Sequence, residues 1–549
     1  MKEDERYDDV YESKPWLRFY DDGVPESIEY PEINAFELLS GTAGKMPGKT
    51  ALIYHGKEVK YGELLRYSEN LAAYLYSTLG EEEKVMLVLP NSPQYVISYY
   101  AILRANCIAV PDNPLSTEAE MAYKVKDAGV KAVITLDTFY PKVRKVCEEL
   151  GVENIIVSKA QDFVLPQSDE GLEHPKFTDL INQSGDLPSL DREVNKTAAL
   201  LYTGGTTGVP KGVELTHHNI VVNAYQVRSW IDVGENDRVV AALPLFHGYG
   251  MSVLMNCTIL SGGSAILMPR FSPEDFLKIV ETYRPTIFAG VPTMYVALLN
   301  HPDLKKYDLS CFRGCFVGAA PLPLEVKRKW EEVTKATLME GYGLTEAVTA
   351  QCCNPLKGVN KEGSIGVPFP DVVFKIVDIE TGTKAMPVGE PGELVIRSPS
   401  VMKGYYNREE ETKKAIRNGW LYTGDIAYMD EDGFFYIVER KKDLIIVGGF
   451  NVYPKEVEDV LYKHPKVMEA AVVGVPDEYR GEVVKAFVVL KPGVEETEQT
   501  KQEIIEFCSK YLSKYKVPKY VEFKKSLPKS PIGKILRRAL REEASGGMR

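Results

Sequence analysis

Short apolar runs alternate with segments of helical periodicity over the first 360 residues, and this alternation constrains the fold more than any other feature. Residues 61–79 carry apolar side chains at helical spacing, 84–89 form an apolar run closed by Pro90, 95–107 read as helix and 108–111 as strand. Further strands are expected at 131–136, 154–157, 238–243, 264–268, 286–290 and 315–317. Strands separated by helices imply parallel pairing, because each crossover must carry the chain back to the same end of the sheet. Past residue 360 the texture changes. Runs such as 372–377 and 393–396 lie between Gly, Pro and Asp turns and read as a smaller β-rich unit. After 437 the order is strand, helix, strand, helix, with helices expected at 456–464 and 501–512. The expected fold class is therefore α/β. Residues 1–437 form a large N-terminal domain, with parallel-sheet subdomains to about 360 and a β-rich subdomain at 361–437, and residues 438–549 form a smaller α+β domain. At 549 residues the chain has length for about three to four compact units.

Charge and cysteine usage exclude several function classes. A net charge of −12 argues against a general nucleic-acid binder or a polybasic membrane binder. The eight cysteines form no CxxC pair, which removes zinc-ribbon and thioredoxin readings and leaves reduced, mostly buried thiols. The N-terminus is charged and lacks an apolar signal core, so a cytoplasmic protein is expected. Residues 241–269 contain no Asp, Glu, Lys or Arg, but Pro244, His247, Asn256 and Gly262-Gly263 interrupt them. They read as strand, loop and helix inside a core, not as a transmembrane span.

The strongest chemical signal is Tyr202-Thr203-Gly204-Gly205-Thr206-Thr207-Gly208-Val209-Pro210-Lys211-Gly212, which follows an apolar strand. Glycines allow close backbone approach to a ligand, threonine hydroxyls and exposed N–H groups suit phosphate oxygens, and Lys211 adds a cation. The spacing is not that of a P-loop. This loop resembles the phosphate loop of the adenylate-forming superfamily, which includes acyl-CoA synthetases, aryl-CoA ligases and peptide-synthetase adenylation domains. The resemblance spans roughly residues 35 to 540, because further signatures follow in order.

Glu340-Gly341-Tyr342-Gly343-Leu344-Thr345-Glu346 is a glycine-rich turn with an aromatic and a carboxylate. The resemblance implies that Tyr342 packs on adenine and that Glu346, beside Thr345, helps hold Mg²⁺. Gly318-Ala319-Ala320 resembles the segment lining the base. Asp425, in Tyr422-Thr423-Gly424-Asp425, would take the ribose hydroxyls, with Arg440 beside it. Lys442 would be the pivot of a mobile C-terminal domain, and Gly449 would lie near the tunnel for the thiol substrate. Lys534 matches the adenylation lysine, although Ile532 stands where Ser or Thr is usual. His247, in Pro244-Leu245-Phe246-His247-Gly248, would gate the acyl site.

These matches imply a two-step reaction: a carboxylate attacks the α-phosphorus of ATP, and coenzyme A then takes the acyl group from the adenylate. The chain looks most like a medium- or long-chain fatty-acid–CoA ligase. Gly343 stands where acetate-restricted members carry Trp, and Tyr249, Met251 and Met255 are candidates for a lipophilic wall. An aryl-CoA ligase of the coumarate or benzoate type, an adenylation module loading a carrier-protein thiol and an inert nucleotide-binding protein are the rival readings. The expected partners are ATP, a fatty acid and coenzyme A, with peripheral membrane contact and a homodimer left open. Charge is unevenly spread. Residues 440–549 hold 22 Lys plus Arg against 16 Asp plus Glu, a net +6, which leaves −18 for the rest. An acidic body and a basic lid are expected.

Overall fold

The computed structural model describes residues 3–163, 175–203, 209–448, 450–477, 479–530 and 535–546. Among these residues the strands form four sheets. One sheet is built on parallel strands Lys84–Val88, Ile108–Asp112, Val130–Leu136 and Asn154–Ser158, and Thr197–Thr203 joins in parallel beside Ile108–Asp112. The second is parallel through Thr50–Tyr54, Ser264–Leu267, Arg238–Ala241, Ile287–Gly290, Gly314–Val317 and Leu338–Leu344, with antiparallel strands at both ends. The third sheet is antiparallel and contains Val373–Val377, Gly392–Arg397, Trp420–Met429 and Phe435–Arg440. The fourth, with Ile445–Val447, Val467–Asp477 and Gly481–Leu490, begins only after Arg440.

One continuous core lies between the two large sheets. Its most enclosed element is the helix Pro93–Arg104, from which only the terminal arginine is not buried. A helix apolar on every side is stable only when both faces are covered. Here two of the tyrosine hydroxyls are also satisfied: Tyr95 donates to the Leu245 carbonyl at 2.9 Å and Tyr100 to Asn256 Oδ1 at 2.9 Å. Each such ring contributes about 1.5–3 kcal/mol through burial.

Helix starts lie earlier than apolar spacing alone suggests. Ser92 accepts the Tyr95 amide and Pro93 occupies the first turn, so the helix expected at 95 begins at Pro93. Pro454 sets the start of Pro454–Tyr462, and the hydroxyl of Thr497 caps Glu498–Ser509. A capping side chain satisfies an orphan N–H group at the helix start, and a first-turn proline removes one.

The uncharged stretch 241–269 folds inside the core as expected. It contains a π-helical segment Gly250–Asn256 running into Cys257–Leu260 and the strand Ser264–Leu267. Gly250 is required there, since a Cβ would lie 2.1 Å from the Pro244 carbonyl oxygen. Met251 and Met255 are both fully enclosed. Among the described residues no helix is long and apolar enough to cross a membrane. All eight cysteines are free thiols, and all but Cys311 are buried.

The N-terminal segment straps the third sheet in place. Lys375 pairs with Asp8 at 2.9 Å, Arg397 with Glu12 at 2.7 Å, and the enclosed Trp16 ring packs edge-on to Phe435. Asp371 collects the Ser27 hydroxyl, the Ile28 amide and the Tyr30 hydroxyl. This positioning matters because two of the site residues below lie on that sheet.

Candidate active site

The site forms where the carboxyl ends of the large-sheet strands meet the third sheet. Leu338–Leu344 turns through the short helical segment Thr345–Ala347 and returns antiparallel as Thr349–Cys353. The backbones approach so closely that a Cβ on Gly343 would lie 1.3 Å from the Thr349 carbonyl oxygen, and one on Gly341 2.9 Å from that of Cys352. Gly343 is thus dictated by the hairpin itself, beyond any room it leaves for an acyl chain. The return turn is strained, with Val348 at φ +62° and Thr349 at φ +138°, conformations that β-branched residues rarely adopt.

Tyr342 reaches across to the third sheet and donates its hydroxyl to Asp425 Oδ2 at 2.5 Å. Asp425 and Arg440 are register partners on neighbouring strands, and Arg440 Nε lies 3.2 Å from Asp425 Oδ1. Burial first, then the Asp425 charge, pushes the Tyr342 pKa well up, so the phenol stays protonated. The Asp425 charge raises the Arg440 pKa further. Both carboxylate oxygens of Asp425 are therefore directed by donors. Gly318 follows the strand Gly314–Val317 and backs onto Gly341 and the Tyr249 ring, while Ala319 adopts φ +65°. Glu340 closes the floor of this region, accepting the Leu322 amide at 3.2 Å. Burial raises its pKa to about 7.

At the other end, Thr203 pairs with Lys211 across the hairpin formed by Thr197–Thr203 and Lys211–Thr216. Gly204, Gly205, Thr206, Thr207 and Gly208 lie outside the described residues, but both stems of their loop are held. Tyr202 donates to Asp127 Oδ2 at 2.8 Å, and Tyr123 donates to the Pro210 carbonyl at 2.9 Å. Asp127 also receives Arg408 at 2.8 Å. Lys211 forms an ion pair with Glu411 at 2.5 Å and lies 4.5 Å from the centre of the Tyr405 ring. Tyr405 in turn donates to Glu346 Oε1 at 2.9 Å.

Residues 39–406 match the family described as AMP-binding enzyme, and residues 456–534 match the AMP-binding enzyme C-terminal domain. The chain belongs to the AMP-binding enzyme family. It is 44% identical to a long-chain-fatty-acid–CoA ligase of Bacillus subtilis (strain 168), over 96% of this chain and 98% of that one. It is 38% identical to a long-chain-fatty-acid–CoA ligase of Escherichia coli O6:H1, over 97% and 99%. Among solved structures, ATP-bound MatB from Rhodopseudomonas palustris superposes with a TM-score of 0.85 at 32% identity, covering 93% of this chain and 99% of that one.

In this AMP-binding enzyme, His247 lies on the loop before the π-helical segment. Its Nδ1 accepts the Tyr249 amide at 3.2 Å, which places the proton of the neutral ring on Nε2. Gly248 packs on Thr349, so His247 and the turn that carries Glu346 share a wall. Lys442 stands on the turn after Arg440, and its pKa is lowered by desolvation first and by Arg440 second. Gly449 and Lys534 lie outside the described residues. The chain just beyond Lys534 is anchored, because Arg537 bridges Glu439 at 3.1 Å and Glu458 at 2.6 Å.

Glu346 offers one carboxylate, and among the described residues no group of three His, Cys, Asp or Glu side chains could hold a metal. Mg²⁺ keeps several waters and takes one or two carboxylates plus substrate phosphates. The donor set therefore fits a Mg²⁺ that arrives on a triphosphate. The residues that motif reading missed are Asp127, Tyr405, Arg408, Glu411 and Glu458. None of them stands beside a glycine-rich turn that would mark it.

Proposed function

We propose that the chain is an ATP-dependent acyl-CoA synthetase that activates a medium- or long-chain fatty acid through an acyl-adenylate and transfers it to coenzyme A. The observation that carries the nucleotide part is the alignment of Tyr342, Asp425 and Arg440 at one end of a site with Lys211 and Glu346 at the other. In this reading adenine packs on the Tyr342 ring and the ribose hydroxyls donate to Asp425. Thr203, Lys211 and the loop between them hold the β- and γ-phosphates. Mg²⁺ carried on the triphosphate, held by Glu346, would neutralise charge on the leaving pyrophosphate. Preorganised donors and cations of this kind lower the barrier to attack by the acid. Lys534 is assigned to the α-phosphate by resemblance.

The fatty-acid assignment is supported by the names of the relatives at 44% and 38% identity over nearly their whole length, which do not favour an aromatic acid or a carrier-protein thiol. Coenzyme A is supported by the positive charge of the last 110 residues. These include a cleft of about 900 Å³ lined by Arg480, Lys514 and Lys519, the last already paired with Asp477 at 2.7 Å. We infer that the domain beginning near 438 pivots at Lys442, withdrawing Lys534 after adenylation.

Pyrophosphate exchange into ATP across acetate, octanoate, palmitate, benzoate and coumarate, with and without coenzyme A, tests this reading. Exchange with octanoate or palmitate and thioester formation with coenzyme A are expected. Exchange that never leads to thioester points to a carrier thiol, and none with any acid ends the enzymatic reading. Lys534→Ala should abolish exchange yet spare thioester formation from supplied acyl-adenylate.

A further inference from the structure

The short segment around Gly404–Tyr405 carries none of the recognised motifs, yet it joins the two ends of the triphosphate site. It is the edge strand beside Lys211–Thr216, with Gly404 opposite Glu214 and Tyr405 opposite Val213. Its backbone is tied on both sides: the Met402 amide donates to the Glu346 carbonyl at 2.8 Å, and the Tyr406 amide donates to the Gly212 carbonyl at 2.8 Å. The side chain between those ties is Tyr405. Its hydroxyl donates to Glu346 Oε1 at 2.9 Å, and its ring lies under the Lys211 ammonium at 4.5 Å.

We propose that Tyr405 is a positioning residue for the metal-bound triphosphate, orienting the Glu346 carboxylate through its hydroxyl and seating Lys211 on its ring. This rests on the nucleotide-activating reading above. A hydrogen bond at Oε1 fixes the carboxylate rotation and leaves Oε2 for a cation. Unrestrained, a glutamate with three rotatable bonds loses side-chain entropy each time it binds metal. The ring face attracts the ammonium, more strongly where water is partly excluded, and Lys211 is only 15% exposed. Glu411 holds the same ammonium at 2.5 Å, so Lys211 has two partners, a permanent ring and an anion that phosphate can replace.

The test separates hydroxyl, ring and fold. Full-length wild type, Tyr405→Phe and Tyr405→Leu are titrated with Mn²⁺ in the presence of α,β-methylene-ATP, and bound metal is read by electron paramagnetic resonance. Mg²⁺ dependence of pyrophosphate exchange with palmitate and thermal melting are measured alongside. Tyr405→Phe should weaken Mn²⁺ binding about tenfold and raise the half-maximal Mg²⁺ by a similar factor, with the palmitate KM within twofold and melting unchanged. Tyr405→Leu should in addition raise the KM for ATP, because Lys211 loses its seat. A Tyr405→Phe protein that binds Mn²⁺ like wild type overturns the proposal. So does one whose constants for palmitate and Mg²⁺ rise equally as melting falls, which marks a purely structural residue. Wild type that binds no metal–nucleotide and exchanges with no acid would instead overturn the nucleotide reading, and this proposal with it.

Discussion

The two ends of the proposed nucleotide site are built by different means. At the ribose end, Asp425 and Arg440 face each other across paired strands, and Tyr342 enters from a hairpin whose backbones touch. Sheet register sets that geometry. At the triphosphate end, Lys211, Glu346, Asp127 and Tyr405 come from separate elements; the backbone brings Tyr405 beside Lys211 and Glu346, but their functional groups are set against one another by side-chain contacts. Register is rigid because every backbone bond along the strand must shift together. Side-chain networks can exchange partners one at a time. The rigid end suits the part of the nucleotide that stays bound as AMP, and the adjustable end suits the part that leaves.

Breaking the rigid end should cost most. Asp425→Ala leaves Arg440 and the Tyr342 hydroxyl facing no acceptor, and removes the carboxylate proposed to accept from ribose. The KM for ATP is expected to rise about 100-fold, which initial rates of exchange would read. An unchanged KM would move the ribose elsewhere.

Glu340 sharpens the same end through pH. Its folded pKa, about 7, lies above the ordinary 4.5, so the folded protein holds a proton that the unfolded chain releases. Its contribution is fully present below pH 4.5 and is lost as pH rises through 7. Glu340→Gln mimics the protonated form and keeps the acceptor for Leu322. It should stabilise the protein by about 1–3 kcal/mol at pH 8 and by almost nothing at pH 4.5. Melting curves at the two pH values check this, and a shift equal at both would show that Glu340 is not titrating.

At the adjustable end the effects should be smaller and of both signs. Asp127→Asn weakens the charge-assisted bonds to Tyr202 and Arg408, and should raise the KM for ATP about tenfold without moving that for the fatty acid. Glu411→Gln frees Lys211 from its competing anion. Since Glu411 is about one-third exposed, the KM for ATP should fall only about two- to threefold, and the difference should shrink in high salt. A rise instead of a fall would mean that Glu411 seats Lys211 and does not compete for it.

Much of the fold was legible because the signals were local. Residues 61–79 were readable as a helix from spacing alone, and the helix is Tyr61–Leu79. The strands at 84, 108 and 154 stand where short apolar runs stand. Helices begin two or three residues ahead of the apolar pattern at Pro93, Pro454 and Glu498, because caps and first-turn prolines precede it. The π-helical turn at Gly250 has no pattern of its own. What fixes its first residue as glycine is the Pro244 carbonyl, which stands where a side chain would otherwise be.

The sequence by itself determined the order of elements, the glycine-rich turns and the identity of the residues at their tips. Those depend on backbone conformation within a few residues. Only the tertiary structure decided what orients those tips. Tyr202 meets Asp127, 75 residues earlier, and Glu346 meets Tyr405, 59 residues later. A bond between distant residues leaves no periodicity and no spacing to read. It exists because the sheets bring the strand ends together, and the packing of the core sets the distance between them.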